Sequence, residues 1–435
     1  MKNIKTKDTF YNILIFIILF LAYYNVNLFN YFPVSIIKIL IVILTPIAII
    51  QWHKKKNNYI FDYKEPIKII ILGLFIALYS FIITVITNNY DYEQTSKLLL
   101  VFIEGPIFVF LLSIILVCKL NYNLHKLLVL LYIIIFLQSI FVILSVYNSQ
   151  VLLFFDKVAP FTTSTNIKYE TSFRIVRGLS NASGASMSVL QSVGFVIGWY
   201  LIKLKKNTVI NIIIFVSIFI SCIFLGRTGI FVFIFVVIGD FLYSLKNIKG
   251  FLDVVKRSLF FILIFSIIYY YWNNNFLNTY NNSVDVEMFI EWSSSPFTQK
   301  DNTINSLMTN HFRLPQEWYS ILFGAGYLPK EYENVLYGEY SDSGIIRNIF
   351  SIGLILTVFF YWNIYRCVKY AKKCGNILYF HFFILLFCIT LMIEMKEPFL
   401  LKGFLPKLFL LFFFILCFKR KIIKQPPNEK IGYNI

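Results

Sequence analysis

Several side chains stand where they could hold an anion or move a proton. Arg174 and Arg177 lie in Arg174-Ile175-Val176-Arg177-Gly178-Leu179-Ser180-Asn181, directly ahead of an apolar run rich in small residues. Arg227 stands in Gly226-Arg227-Thr228-Gly229, a tight link between two apolar runs. A guanidinium forks onto phosphate or carboxylate oxygens through two parallel hydrogen bonds, so these positions suit an anionic partner. The alternative is that Arg227 snorkels to lipid headgroups or pairs with a loop acid. Further along, Tyr340-Ser341-Asp342-Ser343-Gly344-Ile345-Ile346-Arg347 sets a carboxylate just before another apolar run. Asp342 could take a proton from an attacking hydroxyl, since one carboxylate within hydrogen-bond reach suffices for general-base catalysis. Asp342 and Ser343 serve equally as helix caps. Arg347, one turn later, could meet Asp342 or a phosphate, and a structural ion pair is its other reading. Asp342, Arg227 and Arg177 are the candidate catalytic residues, with Arg174 and Arg347 as candidate substrate contacts.

Glu104, in Glu104-Gly105-Pro106, falls inside an apolar run, where an unpaired charge costs at least ~2.5 kcal/mol. It needs a partner, for which Lys402 or one of the arginines is expected. Glu104 is either a substrate contact or half of a structural pair at a proline kink. Arg313, Trp318 and Tyr319 are further substrate candidates, the aromatic rings either stacking on sugar faces or forming a loop core and interfacial belt. Glu394, Lys396 and Glu397 read as a solvated turn. His381 reads as a hydrogen bond within a bundle, and His311 has no partner at metal spacing. The sequence contains no Walker motif, GxSxG elbow or HExxH. Neither a metal nor a cofactor is expected.

The elements that must position these residues are membrane spans. Of the 435 residues 58% are hydrophobic and 14% charged, with 48 Phe and 29 Tyr. A soluble domain has roughly 45–50% apolar and about 25% charged residues, and a chain this apolar cannot stay solvated as a coil. Apolar stretches long enough to cross roughly 30 Å of hydrocarbon occur near 10–30, 33–52, 67–87, 98–118, 125–147, 184–202, 208–225, 229–247, 258–275, 345–365, 377–395 and 399–418. The expectation is an all-α polytopic membrane protein, one helical bundle spanning 1–435 with about twelve transmembrane helices. No small-residue cleavage site follows the first run, which is therefore expected to remain as a span. The net charge of +18 comes mostly from Lys and Arg at the two ends of the chain and in the even-numbered gaps between runs, which predicts cytoplasmic termini and accounts for the charge without nucleic acid. The six cysteines, Cys118, Cys222, Cys367, Cys374, Cys388 and Cys417, form no disulfide framework or CxxC metal pair.

Most links are short, but two outer loops, about 148–181 and about 272–343, are long enough to be functional. In the second, His311 to Phe323 reads as a short amphipathic helix ended by the turn Phe323-Gly324-Ala325-Gly326-Tyr327. The run from Ala182 to Lys203 carries Ser183, Gly184, Ala185, Ser186, Ser188, Ser192, Gly194 and Gly198. Small residues at this spacing let helices approach closely in lipid, which predicts a central position for it.

The layout from about 170 to 365 resembles the bacterial O-antigen polymerase (Wzy) family. The resemblance rests on the arginine loop before the small-residue span, on Gly226-Arg227-Thr228-Gly229, on Phe323-Gly324-Ala325-Gly326, and on Asp342-Ser343-Gly344 and Gly353. It implies a lipid-embedded, GT-C-like glycosyltransferase in the bacterial cytoplasmic membrane that works without a metal. The donor would be a glycan on undecaprenyl diphosphate and the acceptor a second lipid-linked repeat unit, giving O-antigen, other lipopolysaccharide chains or capsule. A separate chain-length regulator protein is an implied partner. The related O-antigen ligases usually carry a histidine in the long loop, and here His311 lies well before Asp342. A flippase or other transporter for lipid-linked sugars is the competing class.

Overall fold

The computed structural model describes residues 2–26, 35–159, 177–181, 184–204, 208–245, 312–329, 341, 343–401 and 404–420, with isolated positions between 252 and 266. The chain is mostly helical. In order the helices are α1 (Lys2–Tyr23), α2 (Ile36–Lys55), α3 (Lys64–Ile86), α4 (Glu93–Lys119), α5 (Leu124–Tyr147), α6 (Ser149–Val158), α7 (Gly184–Lys203), α8 (Thr208–Leu225), α9 (Arg227–Ser244), α10 (Trp318–Phe323), α11 (Gly344–Lys373), α12 (Ile377–Glu394) and α13 (Leu405–Cys417). Among the described residues seven helices, α2, α3, α4, α5, α7, α11 and α12, are long and apolar enough to cross a membrane, and shorter apolar helices lie within α1, α8, α9 and α13. Ile-, Leu- and Phe-rich segments become helices in lipid because only a helix or a closed barrel satisfies every backbone polar group there. The expected ninth run, 258–275, lies almost wholly outside the described residues.

The small-residue helix α7 packs against α5, α8, α9 and α12. Its most apolar window is 83% buried, against 22% for α2 and 33% for α3. Close approach is the reason. A Cβ on Gly194 would meet Ile218 at 2.6 Å, and one on Gly198 would meet Phe215 and the Tyr132 hydroxyl at 2.8 Å. Helix α13 is buried around its whole circumference from Leu405 to Phe414, as a helix apolar on every face should be.

Three features depart from the sequence expectations. A two-stranded antiparallel ribbon, β1 (Tyr59–Phe61) with β2 (Phe418–Arg420), pairs Tyr59 with Arg420 and Phe61 with Phe418. It ties the link after α2 to the end of α13. Second, α11 is broken at Gly353, whose φ of 77° and ψ of 166° are outside helical space. The run expected as a span over 345–365 is therefore a short helix, 344–352, followed by a rod over 354–373. Third, the helix expected over 311–323 is only Trp318–Phe323, and His311 lies outside the described residues.

The segment after α10 explains the break. A Cβ on Gly353 would come within 3.0 Å of the Leu322 and Phe323 backbones, and one on Gly324 would lie 2.7 Å from the Gly353 nitrogen. The two glycines interlock, and the Ala325 N–H donates to the Phe350 carbonyl at 2.6 Å. On the other side α3 and the link after it hold the same segment. Tyr79 donates to the Phe323 carbonyl at 2.8 Å, Thr84 to that of Gly326 at 2.9 Å, and Asn89 to that of Ala325 at 2.6 Å.

The helix ends divide into two polar rims. One carries His53, Lys54 and Lys55 in the last turn of α2, Lys203 in that of α7, and Lys372 and Lys373 in that of α11, where cations complement the negative end of the helix dipole. The opposite rim carries 177–181, the Gly226 turn, the start of α11 and the link after α12.

Candidate functional site at the cation-poor rim

The Arg227 turn is fixed by its backbone. Ser188 donates to the Gly226 carbonyl at 2.6 Å and accepts from the Gly229 N–H at 2.9 Å. A Cβ on Gly226 would lie 3.3 Å from the Ala185 backbone, so the turn sits against the start of the small-residue helix. Arg227 is the first residue of α9, and its side chain lies outside the described atoms. Beside it Thr228 is buried and accepts from Lys396 Nζ at 3.3 Å. That contact brings in the link after α12.

The link contains the main correction to the sequence reading. Glu394 was expected in a solvated turn with Lys396 and Glu397, yet it is 0% exposed. One carboxylate oxygen accepts from the Tyr361 hydroxyl at 2.9 Å, and the other accepts from the Leu400 N–H. Tyr361 in turn accepts from Asn348 at 3.2 Å, and Asn348 accepts from Gln94 at 2.8 Å. This row of side chains joins α4, both parts of α11, and the end of α12. The carboxylate also abuts Gly344, where a Cβ would lie 2.5 Å from Glu394 Oε2. Gly344 is the first residue of α11, so a buried carboxylate faces a helix N-terminus, where negative charge is stabilised.

Asp342 itself lies outside the described residues, but both neighbours are buried, Ser341 at 1% and Ser343 at 0% exposure. Ser343 occupies the residue before the helix, as the capping reading expects, yet makes no side-chain cap bond. Its hydroxyl instead lies 3.5 Å from the Glu394 carbonyl as donor. Arg347 is half-buried one turn into α11.

Arg177 is 5% exposed. Its guanidinium donates to Asp156 Oδ1 at 2.7 Å, to the Ala159 carbonyl at 2.9 Å and to the Ser180 carbonyl at 3.3 Å. Gln138 donates to the Arg177 carbonyl at 2.8 Å, and Ser180 and the Asn181 N–H both donate to that of Tyr24. The segment 177–181 is thereby tied to α1, α5 and α6. Asp156, which the sequence reading had not singled out, is 37% exposed on its side chain. Arg174 lies outside the described residues.

Glu104 pairs with Lys407 at 3.7 Å, both side chains at most 13% exposed. Lys402, the partner named from the sequence, lies outside the described residues. The pair sits at a π-helical turn, Leu100–Glu104, followed by Gly105 and Pro106. The wider turn is a usual site of helix bending. Lys407→Met alone should lower stability by about 3 kcal/mol, the low end for breaking a buried pair given its length, and Glu104→Gln/Lys407→Met together should regain most of it. A double variant no more stable than the single one in thermal unfolding would refute the pairing.

Arg313, Trp318 and Tyr319 are exposed, the two rings at 67% and 52%. Close by in the chain, Phe312 and Ile321 pack on Ile346, Ile349 and Phe350 of the short helix 344–352. The structure thus brings together Arg227's turn, the residues flanking Asp342, and Glu394. It leaves Arg313, Trp318 and Tyr319 exposed and sets Glu104 within the bundle. Among the described residues no group of three His, Cys, Asp or Glu side chains converges. No protein-family model matches the chain, and no curated protein matches it.

Proposed function

We propose that the chain is a membrane-embedded glycosyltransferase that polymerises undecaprenyl-diphosphate-linked oligosaccharide repeats into O-antigen or capsular polysaccharide at the outer face of the bacterial cytoplasmic membrane. The reading is carried by the meeting of the turns 226–229, 341–344 and 394–400 at the rim with fewer cations. In the proposed step an acceptor hydroxyl oxygen bonds to the anomeric carbon of the donor glycan. The bond from that carbon to the diphosphate oxygen breaks, and the electron pair leaves with the lipid diphosphate. The hydroxyl proton passes to the Asp342 carboxylate. Arg227, at the N-terminus of α9, meets the developing charge on the diphosphate, where fixed cations in a low-dielectric site act most strongly. Arg177 would join by exchanging the half-exposed Asp156 for phosphate oxygens. The rings of Trp318 and Tyr319 would stack on sugar faces.

A transporter of lipid-linked sugars is the second reading, favoured by the buried Glu104–Lys407 pair and the broken α11, because transport sites often use discontinuous helices. Deleting the gene and sizing both the surface glycan and its lipid-linked precursors separates these. Single repeat units in place of long chains, restored by the wild-type gene and not by an equally abundant Arg227→Ala variant, are the expected result. Long chains stranded on the carrier lipid would indicate a ligase, and intermediates trapped on the cytoplasmic side a flippase. An unchanged glycan profile would end the polysaccharide reading.

A further inference from the structure

The opposite rim holds a feature that the proposed reaction does not use. Two adjoining cavities, of about 640 Å³ and about 680 Å³, open beside the loop 120–123 and share Asn121, Tyr122 and Lys126 in their walls. The first reaches Lys419 on the β-ribbon, and the second reaches Lys119 at the end of α4. Three lysines therefore line the pair, and among the described residues no Asp or Glu lines either cavity.

Of these three lysines, only Lys419 has a carboxylate partner among the described residues. On this rim Lys68 and Arg366 are paired with Glu65, Lys203 with Asp240, and Lys419 with Asp62. Lys119 and Lys126 have no carboxylate partner among the described residues. Lys119 lies 4.7 Å from the Tyr11 ring centre, and Lys126 donates to the Asn121 carbonyl at 3.3 Å. The first turn of the 24-residue helix α5 forms part of both walls, and its dipole adds to the positive field. Tyr59 donates to Asn121 at 2.7 Å, which fixes the loop. Burial raises the Tyr122 phenol above its ordinary value, so it stays a neutral donor.

The second cavity continues from the lysines along Val129, Leu130 and Ile133. Ile133 is 44% exposed on the face of α5 turned away from the core. A polar, cationic mouth that leads within about 10 Å of helix length to an apolar wall fits an amphiphile with a phosphate head. Basic pockets between helices at a membrane surface take such headgroups.

We propose that these cavities form a binding site for one anionic phospholipid, its phosphate held by Lys119 and Lys126 and an acyl chain laid on Val129, Leu130 and Ile133. The site stands at the other end of the bundle from Arg227 and does not depend on the reaction proposed above.

The test uses the purified full chain in neutral detergent. Phosphatidylglycerol added at about a hundredfold its dissociation constant should raise the melting temperature by about 3 °C, with phosphatidylcholine giving no shift. The Lys119→Gln/Lys126→Gln variant should lose at least half of the phosphatidylglycerol shift while melting like the wild type in phosphatidylcholine. Native mass spectrometry should show retained phosphatidylglycerol falling about tenfold in that variant. An equal shift in the variant overturns the site, and so does full displacement of the lipid by millimolar inorganic phosphate, which would mark a free-anion site. Should the variant not fold, the wild-type titration decides, and equal responses to the two lipids overturn the proposal.

Discussion

Gly353→Ala should cost about 2–6 kcal/mol, and Gly353→Val should leave no folded protein in detergent. Two independent effects add here. At φ 77° and ψ 166° the backbone occupies a region that is essentially glycine-only, worth about 1–3 kcal/mol of strain for another residue. The new Cβ would also come within 3.0 Å of the Leu322 oxygen and the Phe323 carbon. Both are backbone atoms of a segment held by Tyr79 and Thr84 of α3 and by Asn89 in the link after it, so the clash cannot be relieved by a side-chain rotation and adds about 1–3 kcal/mol or more. Against a total stability of about 5–15 kcal/mol that is a large share. Thermal unfolding monitored by size-exclusion chromatography would show it. Leu354→Ala, one residue along at a 40% exposed position, is the control and should shift the midpoint little. A Gly353→Ala protein that melts like the control would mean that the two halves of α11 are not locked to the 322–326 segment.

Glu394→Ala should cost about 2–6 kcal/mol, because the Tyr361 hydroxyl and the Leu400 N–H would each lose an acceptor in a buried site, at about 1–3 kcal/mol apiece. Glu394→Gln keeps the shape and one carbonyl acceptor, so it should cost clearly less and still fold. The comparison also separates packing from chemistry. If Glu394 only closes the link onto the start of α11, the Gln variant should retain whatever activity the rim supports. If its charge sets the field around Asp342 and Arg227, the Gln variant should lose long-chain glycan at normal protein level. Equal melting temperatures for wild type and Glu394→Ala would show that the carboxylate is not a buried acceptor at all.

These two positions share one element. The short helix 344–352 begins against Glu394 and ends at the interlock of Gly353 with Gly324. Its middle carries Asn348, which joins Gln94 to Tyr361. Both ends and the centre are thus tied to different parts of the bundle, and the residues flanking Asp342 are held at its start. A general base or a binding carboxylate at that point would be positioned by the scaffold and not by a free loop, the arrangement in which a reacting group keeps its geometry.

Much of the architecture was legible in the amino acids. Seven of the twelve apolar runs lie, among the described residues, in helices long and apolar enough to cross a membrane, because hydrocarbon leaves a chain no other way to satisfy its backbone. The small residues of α7 announced its central place, since only glycine, alanine and serine admit neighbours as close as Ile218 and Phe215. The turn at Gly226 and the stop at Gly324 were readable for the same local reason, that their chemistry is decided within four or five residues. Glu394 was not. In the sequence it stands among Lys396, Glu397 and Pro398, indistinguishable from a solvated turn, and its side-chain partner Tyr361 is 33 positions away. Asp156 against Arg177 and Lys407 against Glu104 were hidden likewise. Gly353 could be singled out as a residue, but its role depends on a backbone 30 positions earlier. The sequence by itself determined what kind of solvent the chain lives in, which segments are helices and which of them lies at the centre, because each follows from composition and short-range periodicity. Only the tertiary structure decided which charges are buried, which helix breaks and which turns meet, because those depend on contacts between segments that share no local pattern.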